Sequence, residues 1–202
     1  MPKIPIILLS AGASSRMGSP KALLKWNKKT LIESRIETFS HLNQPFLVVL
    51  GDNADKILPL IENKEYDVII NRRWEEGMGS TIAFGLNELL KKHSTLDGVL
   101  ITTIDQPLVD SSHIKRLLET FENDKKQIIV SESRDGWVGI PVLFDSHYFD
   151  MLCSLRGDTG AKTLVKKHSK NVVKIYAGEN LLDMDTPDKY DKLYKLSTNS
   201  YH

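Results

Sequence analysis

Apolar positions along the chain switch repeatedly between a continuous run and a helical spacing. Ile6–Leu9 is four apolar residues in a row, as a strand buried on both faces needs. From about Leu31 to Leu42 the apolar residues Ile32, Ile36, Phe39 and Leu42 recur at helical spacing, and Thr30 with Glu33 forms a capping box. Phe46–Leu50 reads as a second strand, followed by a short helical segment broken near Pro59 and a strand at Val68–Ile70. Ser80 can cap a helix carrying Ile82, Leu86, Leu89 and Leu90, and Val99–Ile104 is the clearest later strand. A helix from about Ser112 places Ile114, Leu117, Leu118 and Phe121 on one face. Strands follow near Ile128–Val130, Pro141–Phe144 and Val172–Ile175, and Pro187 is placed to start a final helix. Strand alternating with helix over the first 130 residues predicts an α/β fold with a mostly parallel, doubly wound sheet.

Composition bounds what such a fold can do. The 202 residues, 41% hydrophobic, are enough for a sizeable core, so one domain over residues 1–196 is expected, with a polar, frayed tail at 197–202. Lys and Arg number 27 against 26 Asp and Glu, a net charge of +1, so no global field points to nucleic acid or to a membrane surface. Cys153 is the only cysteine and cannot form an internal disulfide, which suits a reducing, cytoplasmic setting. The apolar stretch Ile4–Leu9 is too short for a signal core or a membrane span. Trp26 reads as packing, while Trp74 and Trp137 read equally as core or pocket residues.

In a doubly wound sheet, ligands bind beyond the carboxyl ends of the strands. The loop after the first strand, Ser10-Ala11-Gly12-Ala13-Ser14-Ser15-Arg16-Met17-Gly18-Ser19-Pro20-Lys21, combines small residues with two cations and reads as a site for a nucleoside triphosphate. Five residues separate Gly12 from Gly18 and Lys21 lies three further on, so it is not a P-loop, and Gly12-Ala13-Ser14 fails the dinucleotide fingerprint. Taken alone, it also reads as a strand-to-helix turn with two solvated cations. Asp105-Gln106-Pro107 follows the Val99–Ile104 strand, where a carboxylate either holds a hard cation or caps a turn. Asp183-Met184-Asp185 precedes Pro187 and offers either a further metal ligand or a helix cap. The loop Asn71–Thr81 has glycines at 77 and 79 that admit a flat base or ribose, or simply a flexible connection. No histidine pair at zinc-ligand spacing and no Gly-x-Ser-x-Gly elbow is present, which argues against a zinc hydrolase or a serine esterase.

Together these segments resemble the MobA-like nucleotidyltransferases, and within them the molybdenum cofactor cytidylyltransferases related to MocA. The opening resembles the signature Leu-Ala-Ala-Gly-x-Ser-x-Arg-Met-Gly-x-x-Lys, met by Leu9, Ala11, Gly12, Ser14, Arg16, Met17, Gly18 and Lys21, with Ser10 replacing the first Ala. Gly77-Met78-Gly79-Ser80, Asp105-Gln106-Pro107, Gly157-Asp158-Thr159-Gly160-Ala161 and Asp183-Met184-Asp185-Thr186-Pro187 look like the later motifs, in the expected order.

The resemblance implies a nucleotide-diphospho-sugar-transferase-like, Rossmann-like three-layer fold. It implies transfer of CMP from CTP to the terminal phosphate of metal-loaded molybdopterin, with release of pyrophosphate. Ala11-Gly12 and Asp105-Gln106-Pro107 lean toward CTP, with GTP, as in a molybdopterin guanylyltransferase, the second choice. Residue by residue, Leu9, Ser10, Ala11, Gly12, Gly77, Gly79 and Ser80 would hold base and ribose. Arg16 and Lys21 would bind the triphosphate, and Asp105 and Asp185 would hold Mg²⁺. Gly139, Pro141, Gly157, Asp158 and Gly160 would wall the acceptor pocket. Gly139-Ile140-Pro141 stands where the family commonly has Gly-His-Pro, so Trp137 or Arg134 would have to compensate, or the acceptor is another phosphorylated molecule. A sugar-phosphate nucleotidyltransferase is the alternative enzyme. A molybdenum cofactor chaperone serving a molybdoenzyme is the alternative without turnover.

Overall fold

The computed structural model describes residues 2–61, 65–158 and 160–199. Its core element is a seven-stranded sheet built from β1 (Ile6–Ser10), β4 (Phe46–Leu50), β5 (Asp67–Ile70), β6 (Gly98–Thr103), β7 (Ile128–Ser133), β8 (Val138–Asp145) and β9 (Val172–Gly178). The spatial order is β5-β4-β1-β6-β8-β7-β9. The first four strands are mutually parallel, β8 is antiparallel to both its neighbours, and β7 pairs parallel with β9. Two-residue strands β2 (Lys25–Trp26) and β3 (Lys29–Thr30) form a separate hairpin.

Side-chain alternation along the strands decides the layers. Ile6, Leu8, Val48, Leu50 and Leu100 face one way and pack against α1 (Leu31–Ser40), α2 (Ala54–Ile61), α4 (Ser111–Glu119) and α7 (Pro187–Asn199). Ile7, Leu9, Leu47, Val49 and Ile101 face the other way, against α3 (Met78–Lys92), α5 (Phe149–Cys153) and α6 (Lys162–Lys167). Both sides of β1 are therefore covered, and its unbroken apolar run follows from that. Ile6, Ile7 and Leu8 are each fully buried, at a gain of about 1.5–3 kcal/mol per side chain. The expected α/β, doubly wound, three-layer architecture is present.

Local signals hold with exceptions. The capping box is formed, Thr30 N–H donating to Glu33 at 2.8 Å and Glu33 N–H to Thr30 Oγ1 at 3.4 Å, although α1 ends at Ser40 rather than Leu42. Pro59 does not break its segment: α2 runs through it to Ile61, since one proline removes only one intrahelical donor. Ser80 is not a cap. The N-cap of α3 is Gly77, and the Ser80 hydroxyl instead accepts from Gly157 N–H at 3.1 Å. The helix expected from Ser112 starts at Ser111, capped by Asp110, whose carboxylate accepts from His113 N–H at 2.8 Å. Pro187 opens α7, which continues to Asn199 and so takes in the first three residues of the expected tail; residues 200–202 lie outside the described residues. Among the described residues, no helix is long and apolar enough to cross a membrane.

Candidate functional site: two cavities meeting at Asp105

The ends of β1, β4 and β6 open onto one cleft of about 330 Å³. Its walls include Leu9 and Ser10 at the end of β1, Ala11, Gly12 and Lys21 from the loop after it, Gly77 and Asp158 from two later segments, and Asp105. The loop is folded on itself. Ser14 sits in the left-handed region at φ 54°, its carbonyl accepts from Met17 N–H at 2.8 Å, and its hydroxyl accepts from Lys21 N–H at 3.1 Å. Lys21 is thereby brought back toward the strand end. Its ammonium lies 2.7 Å from Asp185 Oδ1 and 3.6 Å from Asp105 Oδ2, while Arg16 reaches Asp185 Oδ2 at 3.0 Å. Met184 N–H donates to the Asp105 carbonyl at 2.7 Å. Two carboxylate-bearing segments far apart in the chain are thus stitched side by side.

Burial alone would push the Asp185 carboxyl up, but the hydrogen bond and charge of Lys21, with Arg16, hold it below the usual range. Asp183 behaves oppositely: burial raises it, and the charges of Asp105 and Asp185 add to the shift. Among the described residues no group of three or more His, Cys, Asp or Glu side chains converges tightly enough to hold a metal ion. The pair Asp105 and Asp185, however, converges on a single positive centre. That donor set, two hard carboxylates beside the cleft, fits a divalent cation such as Mg²⁺, which prefers oxygen ligands.

The Asn71–Thr81 loop and the Gly157–Ala161 segment lock together. Gly79 N–H donates to the Gly157 carbonyl at 2.9 Å, in addition to the Ser80 contact. Gly77 adopts φ 99°, and a Cβ there would meet Asp158 N at 2.7 Å, so glycine is required on both counts. Gly77 and Asp158 line the cleft, whereas Gly79, Ser80 and Gly157 fasten its wall from behind. Thr159 lies outside the described residues.

A second cavity of about 230 Å³ adjoins the first, sharing Met78, Thr103 and Asp105 with it. Gly139, Ile140 and Gly160 line it, and so do Trp137, Val138, Val165, Lys162 and Asp183. Because β8 runs against β6, its first residues lie at the same end of the sheet as Thr103. Pairing with β7 jumps from Val130↔Val142 to Ser131↔Gly139, which leaves Ile140 and Pro141 as a bulge. Pro141 does not line the cavity. Its carbonyl accepts from Ser131 Oγ at 2.7 Å, and Ser131 Oγ lies 2.7 Å from Nε2 of the buried His113. Burial drives His113 down to about 4, with the Arg116 charge acting in the same sense. The imidazole is therefore neutral and supports the bulge. Arg134, one of two residues expected to compensate for Ile140, is instead paired with Glu179 at 2.9 Å; the other, Trp137, is in the cavity.

Several functional-looking residues escaped the sequence reading. Asp52, Glu75 and Thr81 line the first cleft, beside Trp74, for which a pocket position is one of two readings. Gly51 lets them approach, since a Cβ there would come within 2.5 Å of the Ala11 carbonyl. Arg35, on α1, is 3% exposed and donates to the carbonyls of Pro107, at 2.8 Å, and Val109. It clamps the loop that carries Asp105. Its position between Ile32 and Ile36 is the signal: a cation on an apolar helix face needs a buried partner.

Comparison with known proteins supplies independent findings. The MobA-like NTP transferase domain model matches residues 6–172. Nicotine blue oxidoreductase of Paenarthrobacter nicotinovorans is 27% identical over 97% of this chain and 97% of its own length. Molybdenum cofactor cytidylyltransferase of Escherichia coli (strain K12) is 24% identical over 94% and 95%. The crystal structure of Rv0371c from Mycobacterium tuberculosis H37Rv superposes with a TM-score of 0.83 at 26% identity, covering 96% of this chain and 98% of that one. Rv0371c has also been solved as a complex with manganese, with a TM-score of 0.77, 24% identity and the same coverage of both chains.

Proposed function

Because this chain belongs to the MobA-like NTP transferase family and is thereby a nucleotidyltransferase, we propose that it transfers CMP from CTP to the terminal phosphate of metal-loaded molybdopterin and releases pyrophosphate. The supporting observation is the junction of two cavities at Asp105, with Lys21 held between Asp105 and Asp185. The first cavity takes the nucleotide and the second the acceptor. Leu9–Gly12 and Gly77 hold base and ribose, while Lys21 and Arg16 turn from Asp185 to the triphosphate. Asp105 and Asp185 would hold Mg²⁺, which when bound would neutralise charge on the phosphates. Lys21 and Arg16 screen the α-phosphorus and the departing pyrophosphate as an acceptor phosphate oxygen attacks in line. The attacking oxygen is already anionic and needs no strong base, and no histidine lines either cavity among the described residues.

The test is pyrophosphate release from CTP, GTP, ATP and UTP with Mg²⁺ and molybdenum cofactor. Release with CTP alone supports the reading; release with GTP alone moves the assignment to a guanylyltransferase. No release from any of the four overturns the transfer. The relative named for an oxidoreductase activity suggests a second reading, reduction of a conjugated ring compound, which the apolar second cavity favours. Bleaching of nicotine blue by a nicotinamide reductant in the presence of this protein tests it.

A further inference from the structure

The walls of the second cavity say what kind of acceptor body they suit. Met78, Trp137, Val138, Ile140 and Val165 line it, and two of its hydrogen-bonding residues, Thr103 and Asp105, are shared with the first cleft. Trp137 and Met78 keep 41% and 44% of their surface in water. Large apolar side chains left wet around one cavity are what a ligand would cover. The Trp137 indole lies over Gly139, where a Cβ would come within 2.5 Å of the ring. The indole is thus backed by the Gly139 backbone. Ile140, on the bulge, can offer a ring edge no hydrogen bond. Lys162 is the one cation lining this cavity among the described residues, and no carboxylate there pairs with it.

Resting on the nucleotidyl transfer proposed above, we infer that the acceptor site selects phosphomonoesters by a flat, largely apolar ring stacked on Trp137, so that it also accepts simple aryl phosphates, with Lys162 drawing the phosphate in. Ring stacking is tolerant of ring identity, because it reads a π-face rather than a pattern of donors and acceptors. In the step that follows, an oxygen of the aryl phosphate dianion forms a bond to the α-phosphorus of CTP. The bond from that phosphorus to the bridging oxygen breaks, and its electron pair leaves on pyrophosphate. The product is a cytidine diphospho-aryl ester, and no oxidant or further reactant is consumed.

Calorimetric titration with 1-naphthyl phosphate and with ribose 5-phosphate, each in the presence of CTP, tests this, alongside titration with CTP alone. The expected result is binding of 1-naphthyl phosphate about tenfold tighter than ribose 5-phosphate. Trp137→Ala removes that preference and leaves ribose 5-phosphate unchanged; Trp137→Phe, which keeps a ring, restores most of it, and Lys162→Ala weakens both ligands. Equal affinity for the two phosphates, or a preference that survives Trp137→Ala, overturns the inference. If CTP binds and the ring preference is missing, the acceptor inference alone fails. If CTP does not bind, the nucleotidyl transfer fails first, whatever the phosphates do.

Discussion

The two cavities differ in how they are built. The first stands at the ends of parallel strands β1, β4 and β6, and its character comes from charges that neutralise one another across the loops: Lys21 with Asp105 and Asp185, and Arg16 with Asp185. The second stands where β8 enters against that direction, and its character comes from a bulge, an indole and aliphatic side chains. Parallel strand ends present the loops that follow them, whereas the antiparallel β8 brings its own first residues, Val138 to Ile140, to the same end of the sheet. Charged side chains thus set the character of the first cavity, and apolar ones most of the second.

The sharpest break of this contrast is at the residue the cavities share. Asp105→Asn is expected to lower turnover by about 10³-fold while leaving the melting temperature within about 2 °C of wild type, measured by pyrophosphate release and calorimetry. Loss of fold and activity together would remove Asp105 from the chemistry.

On the apolar side, the support of the bulge can be titrated. His113 is fully buried and falls to about 4, against about 6.5 when unfolded. The unfolded chain then binds the extra proton between those values, so stability contributed at this site is complete above about pH 6.5 and is lost as pH falls toward 4. The expected loss is about 3 kcal/mol over that window. It should be absent from His113→Gln, which keeps a donor for Ser131, when the two proteins are unfolded in denaturant at pH 7 and at pH 4.5. Parallel pH curves would show that the imidazole is not buried neutral.

On the charged side, Lys21→Ala should raise the Kd for CTP by about thirtyfold, the effect of removing one member of a hydrogen-bonded charge group. It should leave 1-naphthyl phosphate binding almost unchanged. Equal weakening of both ligands would mean that the cavities are energetically one. The smallest effect is expected at Arg134→Ala: the pair with Glu179 has side chains 71% and 57% exposed, and such pairs contribute well under 1 kcal/mol. Measurable loss of acceptor binding there would return Arg134 to the site.

Much of this contrast was legible along the chain. The strands, the loop from Ser10 to Lys21 and Asp105 were visible because parallel strands are apolar runs and the charged residues follow their ends, and Asp185 because it stands just before Pro187, which opens α7. The bulge at Ile140 and Pro141 was not, since it depends on register with β7 rather than on local periodicity. Nor was the placement of Ser80, because a hydroxyl one turn into a helix and a hydroxyl at its cap look alike until the partner, Gly157, is known. His113 and Arg35 left a trace that periodicity alone passes over: each lies on the apolar stripe of its helix, beside Ile114 and Leu117 in one case and Ile32 and Ile36 in the other. Their partners are backbone carbonyls or a hydroxyl on other strands and loops, which composition does not encode.

The bond from Met184 to the Asp105 carbonyl also sets a schedule for biosynthesis. A ribosome that has made the first 150 residues has delivered six of the seven strands of the sheet, the Lys21 loop and Asp105, but not the segment that carries Asp185. Domains begin to fold from the end made first, so a nascent chain can assemble most of the first cleft while Lys21 lacks its second carboxylate and Arg16 lacks Asp185. Helix α7, with Tyr190 hydrogen-bonded to the Lys25 carbonyl at 2.7 Å and Tyr190 and Tyr194 set against Trp26, is the clasp that fastens the Asp185 segment over the loop made long before it.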